Sequence, residues 1–337
     1  MFTQPLHVGK PYIPDRERLQ SYLDRAMDTA WLTNDGPLVR ELEEKIAKYL
    51  NVRNVVCVSS GTVGLQIAAK ATHLDKIIVM PSWTFPATAM AMTWLGANIN
   101  FVDVDLTTQL ASGTYVRIIG VHTWGNECTM AGYKGATIYD AAHAFAPNWG
   151  QHGDAEVFSF HATKFFHTVE GGCITTANDE LARDCRQMRN FGFEDGEVVD
   201  LGINGKMSEV HAAWGLAMFP DLDWLIDRNT LNYLDYFGGL SECEGIDLVQ
   251  PGPNYQYIVL TVEKRDEILA ALHAEQVWAR KYFSPGVHHL PAYERDSQPL
   301  PNTDWLSAHN LVLPTGPSVY RGDITKICRI IRGVLDA

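Results

Sequence analysis

Val55-Val56-Cys57-Val58-Ser59-Ser60-Gly61-Thr62-Val63-Gly64-Leu65-Gln66 runs from a short β-branched strand through a small-residue turn directly into a helical pattern. A strand that hands over to a helix so quickly is the building unit of a parallel, helix-covered sheet. The free N–H groups and the dipole at such a helix start favour a phosphate, and Gly61 lets it approach the backbone. An ordinary strand-to-helix turn is the commoner source of such a stretch. The pattern recurs along the chain, with candidate strands at 55–58, 77–80, 99–102, 117–121, 137–139, 157–160 and 173–176. Upstream, 14–29 and 37–50 carry apolar residues at helical spacing on either side of the turn Thr33-Asn34-Asp35-Gly36-Pro37. Downstream, helices are predicted over 179–189, 208–219 and 221–241. A strand at 257–262, a helix at 264–276, a strand at 277–283 and a last helix at 323–335 follow. The fold class is therefore α/β. A large domain over 1–220 is expected to hold a mostly parallel sheet, and a smaller α+β domain to cover 221–337.

The chain has 337 residues, 46% hydrophobic and 20% charged, which suffices for two packed cores. Its formal net charge of −13 argues against a dedicated nucleic-acid or anionic-membrane binder, although a local basic pocket can still hold one phosphorylated small molecule. The six cysteines show no C-x-x-C spacing and several lie in apolar runs, as expected of buried free thiols in a reducing compartment. No metal-ligand spacing stands out. The first residues carry neither a basic start nor an apolar stretch, and no apolar run approaches the roughly 20 residues that span a bilayer. A cytoplasmic protein without a membrane partner is expected.

Two further stretches carry chemistry. Ile138-Tyr139-Asp140-Ala141-Ala142-His143-Ala144-Phe145 puts an acid at the end of an apolar strand, where parallel-sheet proteins bind ligands. Asp140 reads equally as a helix cap, and His143 as a satisfied core histidine. Phe158-Ser159-Phe160-His161-Ala162-Thr163-Lys164-Phe165-Phe166 surrounds one lysine with aromatics. Desolvation penalises its ammonium form, and a depressed amine is what Schiff-base chemistry needs. A lysine with a buried stem and a head in water is the competing reading. A phosphate cradle, an acid for a pyridinium nitrogen and a reactive lysine are together the requirements of a pyridoxal-phosphate site.

At this point the chain resembles the DegT/DnrJ/StrS sugar aminotransferases, fold-type-I pyridoxal-phosphate enzymes that aminate nucleotide-linked keto sugars. The likeness covers nearly the whole length. Besides the stretches above, it is carried by Trp31-Leu32-Thr33-Asn34-Asp35-Gly36-Pro37, Pro81-Ser82-Trp83-Thr84-Phe85-Pro86-Ala87-Thr88-Ala89 and Phe101-Val102-Asp103-Val104-Asp105. Glu170-Gly171-Gly172, Gly202-Ile203-Asn204-Gly205-Lys206-Met207-Ser208-Glu209 and His288-His289-Leu290-Pro291-Ala292-Tyr293 extend it.

The resemblance implies roles. Lys164 would carry pyridoxal 5'-phosphate and move protons between cofactor and sugar. Asp140 would keep the pyridinium nitrogen protonated, Phe85 would stack on the ring, and His143 would lie near its phenolic oxygen. Ser60, Gly61, Thr62 and Ser159 would bind the phosphate. Asn204 or Lys206 would reach the partner subunit's phosphate, which implies a homodimer with shared sites. Trp31, Thr33, Asn34, His288 and His289 are the implied substrate contacts. Within the family, Trp31–Pro37, Tyr139–Phe145, Ser159–Lys164 and Gly202–Glu209 resemble dTDP-4-amino-4,6-dideoxyglucose (viosamine) synthases. That implies a dTDP-4-keto-6-deoxyhexose acceptor and glutamate as donor. Amination at carbon 3, a dehydratase on the same scaffold and a non-catalytic regulatory protein are the alternatives; the dehydratase relatives carry histidine where Lys164 stands. The chain departs from the family in its short stretches 106–116, 126–136 and 146–154, which put helical cover on one sheet face in doubt.

Overall fold

In the computed structural model, residues 2, 4–74, 76–132, 135–293 and 298–337 are described. A short strand β1 (Leu6–His7) precedes α1 (Arg16–Thr29) and α2 (Pro37–Leu50). β2 (Asn54–Val58) leads into α3 (Gly61–Ala71), β3 (Ile77–Pro81) into α4 (Pro86–Trp94), and β4 (Asn98–Val102) follows. Next come β5 (Ser112–Tyr115), β6 (Ile118–Val121), β7 (Thr129–Gly132), β8 (Thr137–Asp140), β9 (Ala155–Ser159) and β10 (Gly172–Thr176). After α5 (Asp179–Met188), a hairpin of β11 (Phe193–Glu194) and β12 (Glu197–Val198) precedes α6 (Glu209–Met218) and α7 (Leu222–Leu240). The chain closes with β13 (Ile246–Leu248), β14 (Ile258–Val262), α8 (Arg265–Ala274), β15 (Val277–Trp278), α9 (Pro301–His309), β16 (Asn310–Leu313) and α10 (Arg321–Leu335).

Seven strands form the central sheet in the order β2-β10-β9-β8-β6-β3-β4. Only β10 runs against the others, pairing antiparallel with both β2 and β9. The seven candidate strands between 55 and 176 are these. Their near-continuous apolar character follows from burial on both faces. On one face Val56, Ile78, Ile119, Ile138 and Val157 pack under α3, α4 and α5. On the other, Val55, Cys57, Phe158 and Cys173 meet α2 and α6. α2 is anchored there by Glu209, whose fully buried carboxylate accepts from the Leu38 and Val39 N–H groups at 2.7 and 2.9 Å. A negative charge at a helix start is stabilising, and Gly36 is required beside it, since a Cβ would meet Glu209 Cδ at 2.5 Å.

The shortened stretches 106–116 and 126–136 do not leave the sheet bare. β5 and β7 pair in parallel as a small ribbon. Ala111, Cys128 and Met130 from this region are buried with Ile118 and Tyr139. In place of a helix, this two-stranded ribbon supplies the cover here. Tyr133 and Lys134, within 126–136, lie outside the described residues.

The C-terminal elements build a third core from Tyr236, Leu240, Ile258, Leu260, Leu311 and Ile327 around the antiparallel sheet β13-β14-β16. The expected strand over 277–283 shrinks to Val277–Trp278, paired with β1, because Tyr282 and Phe283 turn instead into an aromatic cluster with Trp124 and Tyr257. All six cysteines are free thiols, five of them buried. Among the described residues no helix is long and apolar enough to cross a membrane.

Candidate active site

A cavity of about 340 Å³ opens at the C-terminal ends of the parallel strands, closed from the far side by Tyr257, Arg280, Tyr282 and Phe283. Ser60, Gly61, Thr62, Phe85, Asp140, His143, Ser159 and Lys164 all line it. Eight residues drawn from separate stretches of sequence thus share one wall.

Asp140 ends β8 and is 8% exposed. Its Oδ1 accepts from the Ala142 N–H at 3.1 Å and its Oδ2 from the Thr88 hydroxyl at 2.7 Å. Because the Thr88 proton is committed to Asp140, the Thr84 hydroxyl must donate to Thr88, 2.8 Å away. The carboxylate is therefore oriented through both oxygens, one by the Ala142 N–H and the other by a two-threonine relay at the start of α4.

Lys164 sits just past β9, and its Nζ lies 3.5 Å from the Tyr257 hydroxyl. Burial pushes its pKa down to about 8, against the smaller opposing pull of Asp140. Burial, and then the Lys164 charge, hold His143 well below the ordinary histidine value. Neutral at pH 7, its Nδ1 accepts from the Trp124 N–H at 3.3 Å, which leaves the proton on Nε2. Its ring is packed against Trp124 and Tyr257, with centroids 5.8 and 4.4 Å away.

One end of the cavity is the start of α3. Ser60 caps that helix, its Oγ accepting from the Val63 N–H at 3.2 Å. The Gly61 and Thr62 N–H groups have no acceptor within their own helix and point out of its end. A Cβ on Gly61 would stand 3.0 Å from Ser159 Cβ, so a side chain here would crowd the cradle. Phe85, the residue before α4, is 57% exposed at the mouth.

The other expected site residues lie elsewhere in the single chain. Trp31, Thr33 and Asn34 are exposed on the turn before α2, Trp31 under the Arg40 guanidinium. The Gly202–Lys206 loop is strapped along the sheet edge, the Ser59 N–H donating to the Gly205 carbonyl at 2.8 Å. Asn204 is exposed there, and Lys206 Nζ stands 4.6 Å from the Phe191 ring centre. Asn34 and Lys206 share a second, smaller cleft. His288 and His289 pack against Ser82 and Asp304, away from the cavity. Sequence reasoning missed Thr88, Tyr257, Arg280 and Tyr282 as site residues. Thr84 and Thr88, four apart at a helix start, carried a usable signal; nothing local marked the other three.

The sequence pattern of the DegT/DnrJ/EryC1/StrS aminotransferase family matches residues 14–332. A dTDP-4-amino-4,6-dideoxy-D-glucose transaminase of Shigella dysenteriae is 32% identical over 321 residues, 86% of this chain and 88% of that protein. A protein of the same description from Escherichia coli is 26% identical, covering 99% of this chain and 100% of its own. The crystal structure of DesI in the presence of its TDP-sugar product superposes with a TM-score of 0.91 at 37% identity, covering 99% of this chain and 94% of that one.

Proposed function

We propose, from the premise that this chain belongs to the DegT/DnrJ/EryC1/StrS aminotransferase family, that it transfers an amino group from glutamate to carbon 4 of a dTDP-linked 4-keto-6-deoxyhexose. It is a pyridoxal-phosphate-dependent sugar aminotransferase. The observation that carries the choice of sugar is the 32% identity, over most of both chains, to a dTDP-4-amino-4,6-dideoxy-D-glucose transaminase. When bound, pyridoxal phosphate supplies an electron sink and a temporary carrier for the amino group.

The cavity fits that cofactor. The glycine cradle at the start of α3 suits its phosphate, and the buried, doubly oriented Asp140 suits a protonated ring nitrogen. Lys164 would hold the cofactor covalently and, once released, carry the proton between the two carbons that exchange it. With a pKa of about 8, roughly one amine in ten is neutral at pH 7. That fraction can act as a base, while the rest serves as the acid for the return step. Asp140 would stabilise the positive ring nitrogen, and Thr88 keeps the carboxylate from swinging away. Phe85 would cover one ring face and exclude water. His143, holding its proton on Nε2, would donate to the phenolic oxygen without adding charge.

The second half of each site would come from another copy of the chain. Asn204 and Lys206 would reach the neighbour's phosphate, and Trp31, Thr33 and Asn34 its sugar nucleotide. Exposed Trp31, Leu32, Phe191, Leu201, Ile203 and Val210 beside that loop support an interface there.

Incubation with 15N-glutamate and dTDP-4-keto-6-deoxyglucose tests the reading, with the product followed by mass spectrometry and NMR. The expected product carries 15N on carbon 4. Label on carbon 3 of a 3-keto isomer, or turnover confined to UDP- or GDP-sugars, would overturn it. Unlabelled amino sugar formed with another donor would overturn the glutamate assignment alone.

A further inference from the structure

We infer that His288, His289 and Asp304 form a binding site for a divalent transition-metal ion, zinc being the best fit. The two histidines end the short helical turn Val287–His289, and Asp304 lies in the first turn of α9. His288 Nε2 is 3.2 Å and His289 Nε2 2.6 Å from Asp304 Oδ1. The three ligand atoms all lie within 4.8 Å of one another. Around a tetrahedral zinc with bonds of about 2.0–2.2 Å, neighbouring ligand atoms stand roughly 3.3 Å apart. His288 and Asp304 are already at that spacing. The His289–Asp304 contact has to open by less than about 1 Å, which an exposed side chain achieves by a small torsion.

A second observation points to a ligand. The His288 ring is 1% exposed, yet its Nε2 is a buried polar atom without a hydrogen-bond partner. Such an atom costs about 1–3 kcal/mol unless something satisfies it. The opposite ring nitrogen is held: Nδ1 lies 2.6 Å from Ser82 Oγ, which also accepts from the His288 backbone N–H at 2.9 Å. Ser82 Oγ can accept from Nδ1–H, and in the tautomer that a metal ion selects it does so, leaving the Nε2 lone pair for the ion beside Asp304. A ligating histidine has this arrangement, one nitrogen fixed by an outer partner and the other presented to the ion.

The other histidine–carboxylate group, His122, His152 and Glu156, differs in this respect. There His122 Nδ1 accepts from the Cys128 N–H at 2.9 Å and Nε2 meets Glu156 at 3.1 Å. Glu156 also accepts from Trp149 at 2.8 Å and the His152 N–H at 2.9 Å. That cluster is a closed hydrogen-bond network, whereas His288 Nε2 is buried and makes no hydrogen bond. Two imidazoles and one carboxylate select Zn²⁺, Co²⁺ or Ni²⁺ over Mg²⁺ and Ca²⁺, which prefer oxygen ligands.

The ion would act as a clamp. Ser82 is also tied to this turn by the Val287 N–H, at 3.1 Å, and begins the loop that carries Thr84 and Phe85 to the cavity. Asp103 secures the other side, accepting from the N–H groups of Asn302 and Thr303 at the start of α9. Metal at this point would fasten α9 to a loop of the cavity wall.

The test uses the cofactor-loaded enzyme, stripped with a chelator and dialysed against ZnCl₂, with elemental analysis for stoichiometry, Co²⁺ absorption for geometry and the melting temperature for coupling to the fold. One zinc per chain, a tetrahedral Co²⁺ spectrum and a raised melting temperature are expected, with no response to MgCl₂. His289→Ala and Asp304→Asn change half-exposed side chains and leave the fold intact. Each should weaken zinc binding by more than about 100-fold, beyond what loss of an outer partner costs. His152→Asn, at the closed cluster, should leave zinc binding unchanged. Equal zinc binding by wild type, His289→Ala and Asp304→Asn would overturn the site, as would loss of binding only in His152→Asn or an absence of stoichiometric zinc in the wild type.

Discussion

The Thr88 hydroxyl donates to Asp140 Oδ2 at 2.7 Å, across 52 residues of sequence, and is itself supplied by Thr84. The start of α4 therefore sets the orientation of the carboxylate that ends β8. A charge-assisted hydrogen bond in a buried site is worth about 1.5–3 kcal/mol.

Thr88→Val should accordingly bind the cofactor while slowing the half-reaction with glutamate by about 10-fold or more. Thr88→Ser, which keeps the hydroxyl, should restore most of the rate. Stopped-flow absorbance at saturating glutamate separates this from a packing defect, because a packing defect would weaken cofactor binding and would not be rescued by serine. Asp140→Asn should show the same defect in stronger form, since an amide cannot balance a pyridinium charge.

Lys164 carries the pH dependence. Its pKa of about 8 lies below the ordinary 10.5 because burial penalises the ammonium. The neutral fraction therefore rises about tenfold per pH unit up to pH 8 and then levels off. Attachment of cofactor to the cofactor-free chain should follow that curve, read as the growth of the visible absorption band. A rate still climbing between pH 9 and 10 would show an unperturbed amine. Lys164→Ala should fold, lose transamination and yield no cofactor-labelled peptide after borohydride reduction.

Glu156 should govern acid stability. Burial alone would raise its pKa, but hydrogen bonds from His122, His152 and Trp149 together outweigh it and bring it to about 2, from 4.5. A depressed carboxylate contributes stability that is complete above its unfolded value. That stability is lost as pH falls from about 4.5 towards 2. Glu156→Gln should remove on the order of 2–3 kcal/mol at pH 7 and flatten the decline in melting temperature between pH 5 and 3. Identical pH profiles for variant and wild type would show the network to be energetically silent.

What the sequence made legible follows from how local each signal was. β2 with Ser60-Gly61, β8 with Asp140 and β9 with Ser159 each pair an element with a cavity-lining residue inside one short stretch, so pattern and chemistry read together. Tyr257, Arg280 and Tyr282 reach the cavity from the C-terminal part of the chain, so no local pattern ties them to it. β16 was missed because Asn310–Leu313 is four residues long between His309 and Pro314, too short for period to declare itself. The ribbon β5–β7 escaped because Gly113 and Gly132 weaken both strands on propensity, and burial of Cys128 and Met130 overrides that.

The last prediction concerns the loop Gly202–Lys206. Its backbone is fixed to the sheet edge by Ser59 and by the Gly205 N–H on the Arg189 carbonyl, at 2.8 and 2.9 Å, while the Asn204 side chain stays exposed. Neither Asn204 nor Lys206 lines the cavity of its own chain. If they serve a neighbouring copy, Lys164→Ala and the double variant Asn204→Ala with Lys206→Ala should each be inactive and yet complement each other. Unfolded together and refolded, half of the dimers pair one chain of each kind, and one of the two sites in such a dimer receives both intact halves. Activity should then return to about a quarter of the wild-type value. Recovery should depend on subunit exchange, so mixing the two folded variants without denaturant should give it slowly or not at all. A fully active monomer by light scattering, or no recovery from variants that fold and dimerise, would refute the shared site.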